Sequence, residues 1–398
     1  MISVDEARTR ILAGLAATGA ETVALAQGFG RVLAEPVRAR LNQPPADVSA
    51  MDGFTLRAAD AVAGARLRVI GTAPAGHPFA GVVGPGEAVQ LFTGSFVPPG
   101  ADTVLMQENA AFADGVVTVN EGCAVGRFIR RAGQDFAVGD VLIPAGKRLS
   151  ARDVGLAAAG NTPWLRVHRR PKVAILATGD EISLPGEAIG PGGIVSANTH
   201  ALAAFVLACG GEPVVLPIAG DDLAAIAAGA DAARGAELLV TTGGVSVGAH
   251  DLVQAGLEAR GFVLDFWKIA MRPGKPLMFG GLGGMPILGL PGNPVSALVG
   301  AVLFLRPAIE RLSGLPGEPP VLEMARLGVA LGANDRRDDY LRATLAHDGA
   351  DWVATPFAVQ DSAMLRTLAR ADALIHRPAG QGALAAGAAV EVIRLRDL

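Results

Sequence analysis

The chain has little cysteine, little histidine and little charge: two Cys, six His and 18% charged residues in 398 positions. Each shortage removes a class of protein. Cys123 and Cys209 are far apart and neither sits in a CxxC pair, which argues against a disulfide-stapled fold and for reduced, buried thiols in a cytosolic setting. The histidines are scattered without metal-ligand spacing and no Ser-His-Asp constellation is apparent, which disfavours zinc and serine hydrolases. A net charge of −4, from 34 basic and 38 acidic residues, leaves no excess for binding a phosphate backbone. A nucleic-acid partner is therefore not expected, although a local basic pocket is compatible with that total. The first residues, MISVDEARTR, carry charge where a signal peptide needs an apolar core. Every apolar run is broken by Gly, Pro or charge before it could span a bilayer. A soluble, cytoplasmic chain with no membrane partner is the expectation. There is no G-x-G-x-x-G fingerprint, no P-loop and no repeat at solenoid period.

What is present is a large apolar fraction, 51%, spread over a length that suits two to four domains. The 52 glycines and 26 prolines punctuate short elements throughout. Ser3 and Glu6 have capping-box spacing and predict a helix from about residue 4. Residues 45–137 read as a β-rich module, with the runs RLRVIGT, AVQLF, TVLM and GVVTV, and Ser150 is placed to cap a short helix after it. From Pro171 strands and helices alternate, which predicts a mainly parallel sheet covered on both faces. After Pro316 the chain turns β-rich again. The expected fold is α/β with β-rich modules: a helical and linker domain (1–44 with 138–168), the inserted β-rich domain (45–137), a central three-layer α/β domain (169–316) and a small C-terminal β-barrel-like domain (317–398).

In such sheets ligands bind outside the carboxyl ends of the strands. Three loops there carry acids: TGDE with Thr178 and Glu181, the Asp221-Asp222 pair, and TTGGVSVGAHD ending in Asp251. Taken singly, each acid reads equally as a turn residue or helix cap, Asp221 and Asp222 most of all. Together they suit Mg²⁺, which favours carboxylates plus substrate phosphate oxygens. Gly243, Gly244, Ser246 and Gly248 bring backbone N–H groups and a hydroxyl close to a phosphate. The segment FWKIAMRPGKPLMFG holds Lys268, Arg272 and Lys275. If strand-like, Lys268 and Arg272 share a face, and the Pro-Gly turn bends Lys275 back toward them, a pocket for an oxyanion or phosphate. Asn293-Pro294 reads as a turn and helix start. In the β-rich module Asp52, Thr93, Arg130, Arg131 and Asp135 are each, alone, ordinary turn or surface residues.

Read in order, AMDGF, LFTG…PPGAD, RRAGQD, ATGDE, TTGGVSVGAHD, RPGKP and LPGNPVS resemble the molybdopterin molybdotransferase family, which includes the terminal domain of gephyrin. The resemblance runs from about residue 3 to the C-terminus. It implies an elongated homodimer with four domains per subunit, a central molybdopterin-binding α/β domain, and a supply of substrate from a molybdopterin adenylyltransferase. The implied reaction converts adenylated molybdopterin and molybdate to molybdenum cofactor, releasing AMP with Mg²⁺ required. Motif by motif, the resemblance assigns Asp52, Thr93, Arg130 and Asp135 to a β-rich module that closes the site of the second subunit. It assigns Glu181, Asp221 and Asp251 to the strand-end acids, with Glu181 and Asp251 on Mg²⁺. Lys268, Arg272 and Lys275 fall to the oxyanion, and Arg342 and Ser362 to C-terminal positions facing molybdate. Phe54 stands where the family often has Tyr, and Arg272 where Lys is common. Rival readings are an adenylyltransferase or nucleotide hydrolase on the same α/β domain, and a non-enzymatic scaffold. Molybdate and tungstate have one shape and charge, so sequence does not choose between them.

Overall fold

The computed structural model describes residues 1–243, 252–349 and 351–395. The chain divides into two compact units, one of Met1–Glu21, Gly30–Ala34 and Val167–Leu398, the other of Thr22–Phe29 and Glu35–Arg166.

The first unit opens with α1 (Val4–Ala13). The Ser3 hydroxyl accepts the Glu6 N–H at 3.1 Å, as a helix N-cap should, while the Glu6 carboxylate pairs with Arg10 one turn on, at 2.6 Å. The chain then alternates through β1 (Lys172–Ala177), α2 (Asn198–Ala208), β2 (Glu212–Val215), α3 (Leu223–Ala232), β3 (Leu238–Thr242), α4 (Leu252–Glu258) and β4 (Phe262–Trp267). A two-residue strand, β5 (Met271–Arg272), precedes the hairpin β6 (Met278–Leu282) and β7 (Met285–Leu290). Helices α5 (Pro294–Gly300) and α6 (Arg306–Leu312) follow, joined by a π-helical turn at Ala301–Leu305.

Six of these strands form one sheet in the order β2-β1-β3-β7-β6-β4. The first four are parallel, and β6 and β4 add an antiparallel edge. Strand β1 shows why its sequence is an unbroken apolar run. Val173 and Ile175 pack among residues of α1, α2, α5 and α6, while Ala174 and Leu176 face residues of α3 and α4. A strand buried on both faces has no use for alternation.

The unit continues into β8 (Leu322–Leu327), β9 (Asp338–Asp348), β10 (Asp351–Pro356), the short α7 (Leu365–Leu368), β11 (Ala373–Arg377) and β12 (Ala389–Arg394). The pairing runs β9-β10-β8-β12-β11 and returns to β9, closing a five-stranded barrel. Small interior residues, Ala325, Ala343, Ala354 and Ala373, allow so narrow a closure, with Leu327, Ile375 and Val392 filling it. Strand β5 joins β9 by parallel pairing, Met271 with Asp338 and Arg272 with Asp339.

The second unit holds a six-stranded sheet in the order Thr103–Met106, Gly53–Leu56, Glu87–Leu91, Arg66–Ala73, Val116–Val119, Ala110–Ala113. Its helix Ala151–Ala159 starts on Ser150, which forms a reciprocal capping box with Asp153. Asp153 also accepts the Lys147 ammonium at 2.5 Å. That bond first, and those from Ser150 second, hold the Asp153 carboxyl down at about 2. Among the described residues no helix of either unit is long and apolar enough to cross a membrane.

Candidate functional site

Strands β1 and β3 end side by side, and the residues after them need glycine. Gly243 has φ +99°, and a Cβ there would lie 2.5 Å from the Thr178 carbonyl oxygen. Gly179 has φ +141°, with the Glu181 carboxylate folded to within 2.4 Å of where its Cβ would be. No other residue type allows this approach of backbone and carboxylate. The two turns open a cavity of about 380 Å³, whose lining includes Glu181, Asn198, Thr242, Gly243, Pro276 and Asn293.

Two asparagines build its walls. Asn198, the first residue of α2, donates its amide to the Thr242 hydroxyl and to the Gly292 carbonyl, each at 2.8 Å, tying the end of β3 to the loop before α5. Asn293 stands at the N-cap position of α5 but makes no capping bond. Its amide donates instead to the Ser362 hydroxyl at 3.0 Å, and the Val295 N–H donates to the Ser362 carbonyl at 3.1 Å. These bonds hold Ser362 against Asn293, which lines the cavity. Sequence reasoning missed Asn198 and read Asn293 as a cap, because helix capping is the commoner use of such an asparagine.

Behind Ser362 lies Arg342, 1% exposed. Its backbone N–H and Nε donate to Gln360 Oε1 at 3.0 and 3.1 Å, and Nη1 donates to the Asp361 carbonyl at 2.7 Å. Burial lowers its pKa, and the Asp361 charge offsets this only in part. None of the described carboxylates forms an ion pair with it. Few buried cations are left without a paired anion. Lys275 is half-buried and likewise lacks an ion pair among the described residues. Its carbonyl accepts the Ile269 N–H at 3.0 Å, and Lys268 N–H donates to Leu277 O at 3.2 Å, so the segment folds back on itself.

The basic segment is not one strand, which corrects the expectation of a shared face. Lys268 has φ +77° and ends β4, and its ammonium lies 3.6 Å from the centroid of the Trp267 ring. Arg272 belongs to β5, at the edge of the barrel sheet. Its Nε donates to Asp339 Oδ1 at 2.8 Å, its Nη2 donates to Asp339 Oδ2, and its Nη1 is 3.7 Å from Asp335. The fork-to-fork bond to Asp339 raises the arginine pKa above its ordinary value.

The acids separate by role. Asp222 caps α3 through the Ala225 N–H at 2.8 Å, while Asp221 lies beside Asp180, whose Oδ1 accepts the Asp221 N–H at 3.0 Å. The buried Thr178 hydroxyl, next to Gly243, has no hydrogen-bond partner among the described residues. Gly244, Ser246, Gly248 and Asp251 lie outside the described residues. Among the rest no three His, Cys, Asp or Glu side chains converge as a protein-only metal cage. The carboxylates present suit a hard cation that takes one or two of them and completes its shell from phosphate and water, which is the habit of Mg²⁺.

In the second unit, Asp52 accepts the Thr93 N–H at 2.7 Å and the Thr93 hydroxyl at 2.8 Å. The backbone donor first and the hydroxyl second hold its carboxyl below the usual range. Arg130 and Asp135 line a separate hollow of about 630 Å³ with Pro44, Phe96 and Gln134. Arg130 has no ion pair among the described residues, whereas Arg131 pairs with Asp47 at 2.5 Å.

A cavity at the carboxyl ends of a largely parallel sheet, lined by Glu181 and by polar groups of Asn198, Thr242 and Asn293, with Lys275 next in sequence to its lining residue Pro276, defines an α/β protein with its candidate small-molecule site at the strand ends. Family models assign the particular group: the "MoeA N-terminal region (domain I and II)" matches residues 2–160, the "Probable molybdopterin binding domain" residues 174–311, and the "MoeA C-terminal region (domain IV)" residues 324–395. The chain is 35% identical to a molybdopterin molybdenumtransferase of Nostoc over 386 residues, covering 94% of this chain and 88% of that one. It is 32% identical to that of Bacillus subtilis, covering 100% and 94%. A crystal structure of a molybdopterin biosynthesis MoeA protein from Pyrococcus horikoshii superposes with a TM-score of 0.87 at 29% identity, over 99% of both chains. The chain belongs to the molybdopterin molybdenumtransferase family.

Proposed function

We propose that this chain inserts molybdenum from molybdate into adenylated molybdopterin and releases AMP, with Mg²⁺ required. The observation that carries the reading is Arg342. It is a buried guanidinium without an ion pair that holds the Gln360–Ser362 segment against the rim of a strand-end cavity. Such a cation is stabilised when an oxyanion arrives, and Lys275 and Ser362 add a second charge and a hydroxyl donor. Lys268, held over Trp267, supplies positive potential near the same turn. Gly243 offers a backbone donor to the phosphoanhydride, and the resemblance assigns Gly244, Ser246 and Gly248, which lie outside the described residues, to the same group. Thr178 offers a hydroxyl with no partner among the described residues. Glu181, with Asp251, would hold Mg²⁺, which when bound neutralises charge on the leaving phosphate. Asp221 and Asp180 shape the edge beside it. The protein's own contribution is positioning and charge neutralisation, with no covalent protein intermediate.

In the second unit, Asp52 with Thr93 and Arg130 with Asp135 form polar groups of their own, and in this reading they contact substrate. The reading also includes a cytoplasmic homodimer fed by a molybdopterin adenylyltransferase, and light scattering measures the first of these. The decisive test incubates purified chain with adenylated molybdopterin, molybdate and Mg²⁺ and quantifies AMP. Release that depends on molybdate is the expected result. No AMP above the protein-free control overturns the proposal.

A further inference from the structure

The three basic residues of the 268–275 segment do not have the same duty. We infer that Arg272 is a positioning residue that latches the Pro273-Gly274 turn to barrel strand β9 through Asp339, and that it is not a ligand of the oxyanion. This rests on the transferase reading above and refines which cations meet molybdate.

The argument is one of partners. Lys275 and Arg342 carry charge with no ion pair among the described residues, so an arriving oxyanion has no carboxylate to displace from either. Arg342 donates only to the neutral Gln360 amide and the Asp361 carbonyl. Arg272 instead places Nε and Nη2 on the two oxygens of one carboxylate, and its remaining nitrogen lies 3.7 Å from Asp335. An oxyanion would have to break a bidentate bond, one of the stronger pairings a side chain makes. It would also strand Asp339. That carboxylate is 6% exposed as a side chain, and its one ion pair among the described residues is with Arg272. A buried carboxylate without its cation is strongly unfavourable.

The latch has a geometric consequence. Arg272 pairs with Asp339 in backbone register as well as through side chains, and Asp339 lies three residues before Arg342 on the same strand. Three residues after Arg272 comes Lys275, whose carbonyl is fixed by the Ile269 N–H. Joining residues 272 and 339 therefore sets the strand that carries Arg342 against the turn that carries Lys275. Lysine at position 272 would keep the charge and lose the two-point bond, which is what separates positioning from charge.

The test compares wild type, R272K, D339N and the R272K/D339N double variant as full chains. Tungstate affinity is read by calorimetry, molybdate-dependent AMP release by initial rates, and stability by Tm. If Arg272 positions, R272K and D339N each weaken tungstate binding and slow AMP release by about tenfold. The double variant is then no worse than the poorer single one, because both break one linkage. If Arg272 is a ligand, D339N frees the guanidinium, so tungstate binds D339N as tightly as wild type or more tightly. That result overturns the inference. So does a tungstate-soaked crystal of wild type in which the Arg272 fork has left Asp339 for the oxyanion, a measurement that needs no variant to fold. Should wild type neither bind tungstate nor release AMP, the transferase reading fails. The latch is then judged by Tm alone, where additive losses in the double variant refute it.

Discussion

Two hollows of nearly equal size sit at opposite ends of one sheet, about 380 Å³ at the carboxyl ends of the parallel strands and about 390 Å³ at the other end. Both have arginines nearby, yet their charges are arranged differently. At the far end Arg234 and Arg260 both bond Asp231, at 2.8 and 3.0 Å, so each arginine there has a carboxylate partner within the protein, although the two share one. At the carboxyl end Arg342 and Lys275 have no ion pair among the described residues, and Arg342 is buried as well. Volume is nearly the same; what differs is whether each cation already has a carboxylate partner. That difference is the basis for placing the ligand at one end and not the other.

The comparison is broken most severely at its strongest member. Arg342→Ala removes the buried cation and leaves Gln360 and the Asp361 carbonyl without their donors. AMP release should fall by about 100-fold or more, and stability by about 2 kcal/mol, seen in rates and in denaturant midpoint. Asn293→Ala is milder, since it cuts only the amide bond to Ser362. Turnover should drop about tenfold, with a stability loss near about 1 kcal/mol. Equal effects on Tm and turnover would show that the asparagine is merely structural.

In the second unit, the Lys147 ammonium first and Ser150 second hold the Asp153 carboxyl below its ordinary value, at about 2. A carboxyl held low in the folded state stabilises the protein above the unfolded pKa of roughly 4, and that stabilisation disappears as pH falls toward about 2. Tm measured across that window should fall for wild type and less steeply for Asp153→Asn, with AMP release at neutral pH little changed. Smallest of all is Asp231→Asn, which frees two arginines at the far end. Exposed pairs contribute about 0–1 kcal/mol, and AMP release should be unaltered. A change in turnover there would undo the distinction between the two ends.

How much of this was legible in the residues differs by element. The Ser3 and Ser150 caps, the apolar run of β1 and the alternation after Pro171 were readable because each depends on local spacing. The antiparallel pair β4 and β6 was not recognised, since short apolar runs do not declare strand direction. Nor was Lys268 as a chain reversal, because positive φ in a lysine has no sequence signature. Asn293 carried a capping signal that the structure uses for another purpose. By local spacing Asp221 and Asp222 both read as helix caps and only the resemblance chose Asp221; in the structure Asp222 caps α3 and Asp221 faces Asp180.

Sequence alone determined the fold class, the polar and glycine-rich strand ends, and the family to which the chain belongs. Each of these is written in periodicity, turn chemistry or ordered motifs. Only the tertiary structure decided which charges are already paired. Arg272, Lys275 and Arg342 are alike as letters, but pairing depends on residues such as Asp339, 67 positions from Arg272. A cation's availability to a ligand is set by the carboxylates that folding brings within reach.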